Sequence, residues 1–266
     1  LRCGLVDACG AVVIVGVRHV YYGGADTVVC VASISLQVLL QQLLPASALD
    51  DPSNPRRRHA PASARRAQPL ADAPAGRVVG NDGGLQSDGA WVMLYRAESG
   101  VHEVEGERLA LSSIGLARSA DGVHFAERRQ ILQPEHPWER FGCEDPRVTA
   151  FDGRYYIFYT SLSVHPVEAT GIRVGLAITS DFERFEKHPV TPFNAKAMAL
   201  FPGRVKGKIA AVLTPHTDMP PAKVCLALFD RIEDLWSASW WADWYGRLDE
   251  HVIALLRGPE DQVEVG

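Results

Sequence analysis

Ile114-Gly-Leu-Ala-Arg-Ser-Ala-Asp121 and, 60 residues later, Val174-Gly-Leu-Ala-Ile-Thr-Ser-Asp181 are two copies of one phrase, each leading to a phenylalanine, Phe125 and Phe185. An apolar strand ending in a polar residue precedes each copy, at 91–96 (WVMLYR) and 155–160 (YYIFYT). Two shorter copies pair 20–22 (VYY) with 30–32 (CVA), and 210–214 (AAVLT) with 225–227 (CLA). The aromatic and β-branched run 154–161 (RYYIFYTS) is a strand by composition. Asp88-Gly89, Asp121-Gly122, Asp152-Gly153 and Lys206-Gly207 punctuate the apolar runs as turns. Self-similarity on this scale means stacked or radially arranged sheets. Two hairpins per repeat suit a propeller blade of four strands. The expected fold class is therefore all-β, a β-propeller, with equivalent positions of successive blades surrounding one pocket.

Composition narrows the function. The 266 residues are enough for one large domain, and 27 basic against 32 acidic side chains leave a net charge of −5. That balance argues against nucleic acid as a partner, because non-specific binding needs a basic face. Cys3, Cys9, Cys30, Cys143 and Cys225 are odd in number and lack zinc-ligand spacing. They read as buried thiols of a cytoplasmic chain. The apolar stretch 28–44 is broken by Ser33, Ser35, Gln37, Gln41 and Gln42, so it reads as a packed helix and not a membrane span. The chain begins with Leu1 and not Met, which implies a fragment or a processed product.

Three regions separate. Residues 1–43 read as two short strands and a helical stretch. Residues 44–79 hold Pro45, Pro52, Pro55, Pro61, Pro69 and Pro74 among arginines 56–58, 65 and 66, the composition of a disordered linker. Residues 80–266 are the strand-rich region, interrupted near 231–256 by a short helical insertion. Trp236, Trp240 and Trp244 fall at helical spacing there, either as a stripe packed on the core or as a platform for a sugar ring.

The densest polar cluster is Arg140-Phe-Gly-Cys-Glu-Asp-Pro-Arg147. On an extended chain Asp145 and Arg147 share one face and Glu144 points to the other. One acid can then face a pocket while the scaffold holds its neighbour. A turn in which the Asp simply pairs with the nearby Arg is the alternative.

The string GCEDPRV (142–148), preceded by SADGVHF (119–125) and followed by DGRYYIFYT (152–160), resembles glycoside hydrolase family 130. YRA (95–97), AKAMALFP (195–202) and DQVEVG (261–266) follow in family order, while VYYGGADTVVCVA (20–32) resembles the closing blade that normally ends the family's chains. The resemblance implies a five-bladed β-propeller that hydrolyses or phosphorolyses β-mannosides. Here it would be incomplete: a closing-blade-like segment at 1–43, then the linker, then a catalytic region at 80–266 truncated at its carboxyl end. A circular permutant is the other explanation; a fragment fits the shortage of a blade better.

By the same resemblance Asp145 is the general acid of an inverting reaction, its proton travelling through a sugar hydroxyl. Asp26 and Arg96 hold the sugar in the minus-one subsite, and Arg147, Lys196 and His216 line the same funnel. After the YTS strand, 162–171 offers only His165 as a cation, and 214–223 lacks a further arginine. A phosphate dianion needs several such groups. The expectation is therefore inverting hydrolysis of a mannose-containing oligosaccharide, with Glu264 activating water. Phosphorolysis to mannose 1-phosphate is the alternative, with inorganic phosphate as co-substrate held by Arg140, Arg147, Lys196 and His216. An inactive or sugar-binding fragment is a third reading. No metal or cofactor is expected, and no membrane partner.

Overall fold

The computed structural model describes the backbone of residues 6–14, 17–24, 28–35, 63–65, 77–87, 89–122, 124–219 and 223–252, with side chains from residue 89 onward except 99 and 123. Among the described residues fifteen strands fall into antiparallel groups in chain order. The first is β1 (Val6–Ile14), β2 (Val17–Gly24), β3 (Val28–Ser35) and β4 (Ser63–Arg65). The second is β5 (Arg77–Ser87), β6 (Ala90–Val104), β7 (Glu107–Ser119) and β8 (Ala126–Leu132). The third is β9 (Gly142–Phe151), β10 (Arg154–Leu162), β11 (Ile172–Thr179) and β12 (Glu186–Pro189). The fourth is β13 (Ala195–Leu200), β14 (Ile209–Pro215) and β15 (Cys225–Phe229). These are the blades of a β-propeller, and among the described residues they form an unclosed, incomplete ring. The second and third touch edge to edge through one parallel bridge, Ser112 to Gly142. β1, β2 and β3 lie against β5.

The repeated phrases occupy equivalent places. Tyr22 pairs with Cys30, Tyr95 with Gly115, Tyr159 with Gly175 and Leu213 with Cys225, always between the second and third strand of a blade. The glycine has a steric cause. A Cβ on Gly175 would lie 2.7 Å from the Tyr159 ring, and one on Gly115 would lie 2.3 Å from the Tyr95 ring. The Ser/Thr-x-Asp ends of the phrases also build the same turn. Ser119 Oγ accepts from Gly122 N–H (2.9 Å), as Thr179 Oγ1 does from Phe182 N–H (2.9 Å). Asp152-Gly153 closes its hairpin with both residues at positive φ (47° and 76°), the geometry that matches strand twist in a two-residue loop.

The run 154–161 lacks polar alternation because β10 is buried on both faces. Tyr156 and Phe158 join a core with Leu176, Met198 and Phe229, while Ile157 and Tyr159 join another with Leu94, Leu116 and Ala177. Cys143 and Cys225 are buried free thiols, and burial pushes the Cys225 thiol up to about 11.

Two expectations are corrected. Residues 28–35 are strand β3 and not the start of a helix; the β-branched residues Val28, Val29, Val31 and Ile34 are strand formers. Residues 36–44 lie outside the described residues. The helical insertion exists, as a 3-10 turn at Ile232–Trp236 and helix α1 at Ala238–Gly246. Its stripe is shifted, however: Trp241 and Trp244 are the buried tryptophans, while Trp236 and Trp240 are only partly covered. The extended cap residue Ser237 breaks the helical phase between Trp236 and Trp240. Trp241 and Trp244 donate their indole N–H groups to Leu235 O (2.9 Å) and Leu226 O (3.3 Å), so the insertion packs on the core. Most of the linker 44–79 lies outside the described residues; β4, within it, pairs with β3. Among the described residues no helix is long and apolar enough to cross a membrane.

Candidate active site

The Glu-Asp-Pro-Arg string is not a regular strand. Phe158 pairs with Arg147 and Thr160 with Glu144, so Asp145 and Pro146 together oppose the single residue Tyr159. That is a β-bulge, which bends the strand and re-aims its side chains. Asp145 takes φ 50°, a left-handed conformation that few non-glycine residues adopt and that costs about 1–3 kcal/mol. Proline suits the place because it has no N–H to offer the ladder.

The bulge overturns the expected alternation. Glu144 and Asp145 do not point to opposite sides, because one guanidinium reaches both. Arg96, in the middle of β6, places Nη2 2.7 Å from Glu144 Oε1 and Nη1 3.7 Å from Asp145 Oδ1, and its Nε–H donates to Ser112 Oγ at 3.0 Å. Glu144 is the more covered, with 14% of its side chain exposed against 38% for Asp145. Burial raises the Glu144 pKa, and Arg96 and Ser112 only partly offset this; the net position is above the ordinary carboxyl value. One acid is thus held by the scaffold while its neighbour stays accessible.

Arg147 lies one residue beyond the bulge, its Nη1 3.5 Å from the Asp145 carbonyl oxygen. Lys196 sits on β13 at the position Glu144 has on β9. It pairs with Thr214 as Glu144 pairs with Thr160, and Ala197-Met198 oppose Leu213 as Asp145-Pro146 oppose Tyr159. Ala197 too has positive φ, 57°. Thr149 Oγ1 donates to Leu200 O (2.9 Å), tying β9 to β13 four residues beyond Asp145 and Lys196 respectively. His216 follows β14, its backbone N–H on Asn194 O (3.1 Å) and its Nε2 3.0 Å from Tyr245 Oη of α1. Arg96, Glu144, Asp145 and Arg147 are therefore gathered in one cluster. Lys196 and His216 stand at the corresponding end of the next blade. Asp26 and Glu264 lie outside the described residues.

Of the other cations, Arg140 is committed to an ion pair with Glu105, and His165 Nε2 lies 3.2 Å from Glu107 Oε2. Arg147 and Lys196 have no ion-pair partner among the described residues.

Sequence reasoning missed several residues here. Ser112, Tyr245 and Asn194 hold members of the cluster through contacts with no local signature. Glu139 is fully buried, and Lys187, 48 residues away, sits on it. Glu135, His136 and Glu139 bring possible ligand atoms within 4.8 Å of one another. The Lys187 ammonium, however, already stands between the two carboxylates, 2.8 Å from Glu139 and 3.2 Å from Glu135. Gly80-Asn81-Asp82 of β5 also escaped notice: Gly80 pairs with Arg96, and Asn81-Asp82 oppose Tyr95. They occupy the register of Glu144-Asp145-Pro146 one blade earlier.

The sequence model of the beta-1,4-mannooligosaccharide phosphorylase family matches residues 75–232, well over half of the chain. The chain belongs to glycoside hydrolase family 130. Among curated family 130 relatives, it is 34% identical over 109 residues to a beta-1,2-mannobiose phosphorylase of Listeria innocua, covering 40% of this chain and 29% of that one. It is 28% identical over 145 residues to a 1,2-beta-oligomannan phosphorylase of Thermoanaerobacter, covering 53% and 48%. The chain thus spans less than half of the length of these relatives. Among solved structures, the family 117 glycoside hydrolase Zg3597 of Zobellia galactanivorans shares the fold at 15% identity and a TM-score of 0.55, over 85% of this chain and 67% of that one.

Proposed function

We propose that this chain carries the acid-bearing part of a β-mannoside-cleaving site, with Asp145 as the general acid, and that it favours phosphorolysis over hydrolysis. The observation that carries the reading is the bulge at Asp145-Pro146, where Arg96 holds the buried Glu144 and leaves Asp145 accessible beside it. In an inverting reaction the acid protonates the leaving oxygen as the glycosidic C–O bond breaks, and the second reactant attacks the anomeric carbon from the opposite face. With phosphate as that reactant the new bond is C–O–P, and the product is mannose 1-phosphate of inverted configuration.

Two observations support phosphate over water. Arg147 on β9 and Lys196 on β13 have no ion-pair partner among the described residues and are suited to a dianion. The curated relatives reported above are phosphorylases. Inorganic phosphate then serves as co-substrate, and no further cofactor enters the scheme. Arg96 has a double role, pairing with the two acids and reaching the sugar. Asp26 is assigned to the same sugar subsite. Hydrolysis with Glu264 as base remains the second reading, on the scarcity of cations in 162–171 and on the engagement of Arg140 with Glu105.

The test is incubation of the full chain with β-1,2- and β-1,4-mannobiose, with and without phosphate. Phosphate-dependent mannose 1-phosphate is expected, and Asp145→Asn should abolish it. Mannose released equally in both buffers would replace phosphorolysis by hydrolysis. A folded sample inert in both would sink the enzymatic reading.

A further inference from the structure

Glu139 is a charged side chain with no exposed surface, and it is fully hydrogen-bonded. Its Oε1 accepts from Lys187 Nζ (2.8 Å), Glu135 N–H (3.0 Å) and His136 N–H (3.3 Å). Its Oε2 accepts from Tyr159 Oη (2.6 Å) and Cys143 Sγ (3.3 Å). Burial alone would raise the Glu139 pKa, but the hydrogen bonds from Lys187 and Tyr159 outweigh it and the carboxyl titrates low. Burial, reinforced by the Glu139 charge, holds the Cys143 thiol and the Tyr159 phenol well above their usual values. Both are therefore protonated donors.

A buried ion pair carries a desolvation penalty that a well-packed apolar substitute avoids, so it is weak evidence of a stabilising role. The two groups on Oε2 show what it holds. Cys143 is two residues before Asp145 on β9, and Tyr159 is the β10 residue opposite the Asp145-Pro146 bulge. One carboxylate therefore fixes the strand entering the bulge and the strand across from it. Lys187, on β12, fixes that carboxylate in turn. Among the described residues the arrangement does not recur in the two neighbouring blades. Tyr95, in the equivalent place one blade earlier, has no such carboxylate among the described residues, and Leu213 one blade later has no hydroxyl.

We infer that Glu139 is a positioning residue for Asp145, acting through Tyr159 and Cys143 to set where the bulge presents its carboxyl. This rests on the reading of Asp145 as the acid. The bulge is backbone in an unfavourable conformation, so it needs over-determined surroundings to hold one position. A displacement of about 1 Å at a reacting group can cost about 10²-fold in rate.

Two variants separate positioning from packing. Tyr159→Phe keeps the ring against Gly175 and removes only the hydroxyl; Glu139→Gln keeps the shape and removes the charge. Each is crystallised as the full chain and assayed on β-mannobiose with phosphate, beside Asp145→Asn. The expected result is Asp145 displaced by about 1 Å while the rest of the blade superposes, with kcat lowered about 10- to 10²-fold. KM should stay within about two-fold, and the limb of the pH–rate profile that reports the acid should move. A loss of thermal stability with unchanged kcat and pH profile, or Asp145 unmoved in both crystals, overturns the inference. If Asp145→Asn itself turns over like the parent, the acid reading has failed, and the crystal positions alone decide the positioning claim.

Discussion

Gly175→Ala tests whether the repeated phrase is a packing interlock. The added methyl carbon would stand 2.7 Å from Tyr159 Cε2 and Cζ, and 2.8 Å from Trp138 Cζ3. Carbon atoms in good contact sit about 3.5–4.0 Å apart, so both rings must retreat by about 1 Å. Neither has room. Tyr159 is 2% exposed and tied to Glu139, while Trp138 stacks on both Tyr159 and His136. Overpacking of this kind costs about 1–3 kcal/mol, and with two pinned rings about 2–3 kcal/mol is expected. At about 2–4 °C per kcal/mol for a domain of this size, Tm should fall by about 4–12 °C. Gly203→Ala is the control: no atom lies within 4 Å of its Cβ position, and the change should stay within about 0.5 kcal/mol. Scanning calorimetry of the single and double variants completes the measurement. Tyr159→Leu removes one of the two rings that the methyl group meets, so Gly175→Ala should cost clearly less in that background. Costs additive to within about 0.5 kcal/mol, or a Gly175→Ala protein that melts with the parent, would refute the interlock.

Arg96→Ala should destabilise the chain by about 1–3 kcal/mol, because it leaves the Glu144 carboxylate half-satisfied in a covered site. The pH dependence has a definite sign. The folded Glu144 pKa already lies above the unfolded value, so its contribution is most favourable in acid and declines as pH rises through the folded pKa. Losing Arg96 removes the main group that lowers this pKa, so the Tm deficit should be larger near about pH 7 than near about pH 4; an equal deficit at both would contradict the pairing. Asn194→Ala removes the acceptor of Thr217 N–H (2.6 Å) and the donor to Ala169 O (2.8 Å). Denaturant unfolding should show a loss of about 1–3 kcal/mol, and the turn carrying His216 should become more exchangeable in amide hydrogen exchange.

The blades were legible because their signal is local and repeated. In the two full copies Tyr95 and Tyr159 leave room only for Gly115 and Gly175 across from them, and the Ser/Thr-x-Asp turn follows at constant spacing. Where signals conflict, reading fails: 28–44 is apolar with scattered Ser and Gln, which hides a strand of valines under an apparent helical pattern. The Trp236–Trp244 stripe failed for a different reason, since one non-helical residue at Ser237 shifts the phase of everything after it. The Glu144/Asp145 alternation failed because a bulge inserts a residue without changing composition; Pro146, barred from a regular ladder, was its trace. Glu139 could not be found at all. Its partners Cys143, Tyr159 and Lys187 lie 4, 20 and 48 residues away, and only the assembled blade brings them together.

The bulge belongs to the repeat and not to the site alone. The inner strand loses register opposite the second-strand residue in every described blade: between Ala8 and Gly10 beside Tyr22, at Asn81-Asp82 against Tyr95, at Asp145-Pro146 against Tyr159, and at Ala197-Met198 against Leu213. One backbone device is thus supplied several times along the chain. Chemistry then depends on occupancy. An aspartate-proline pair fills one copy, with Glu139 bonded to Tyr159 across from it; Ala-Met fills the next, with Lys196 beside it. On the reading of Asp145 as the acid, the residues that fill each bulge are what distinguish one copy from the next, and the places to look for further site residues are the remaining copies, Asn81-Asp82 first.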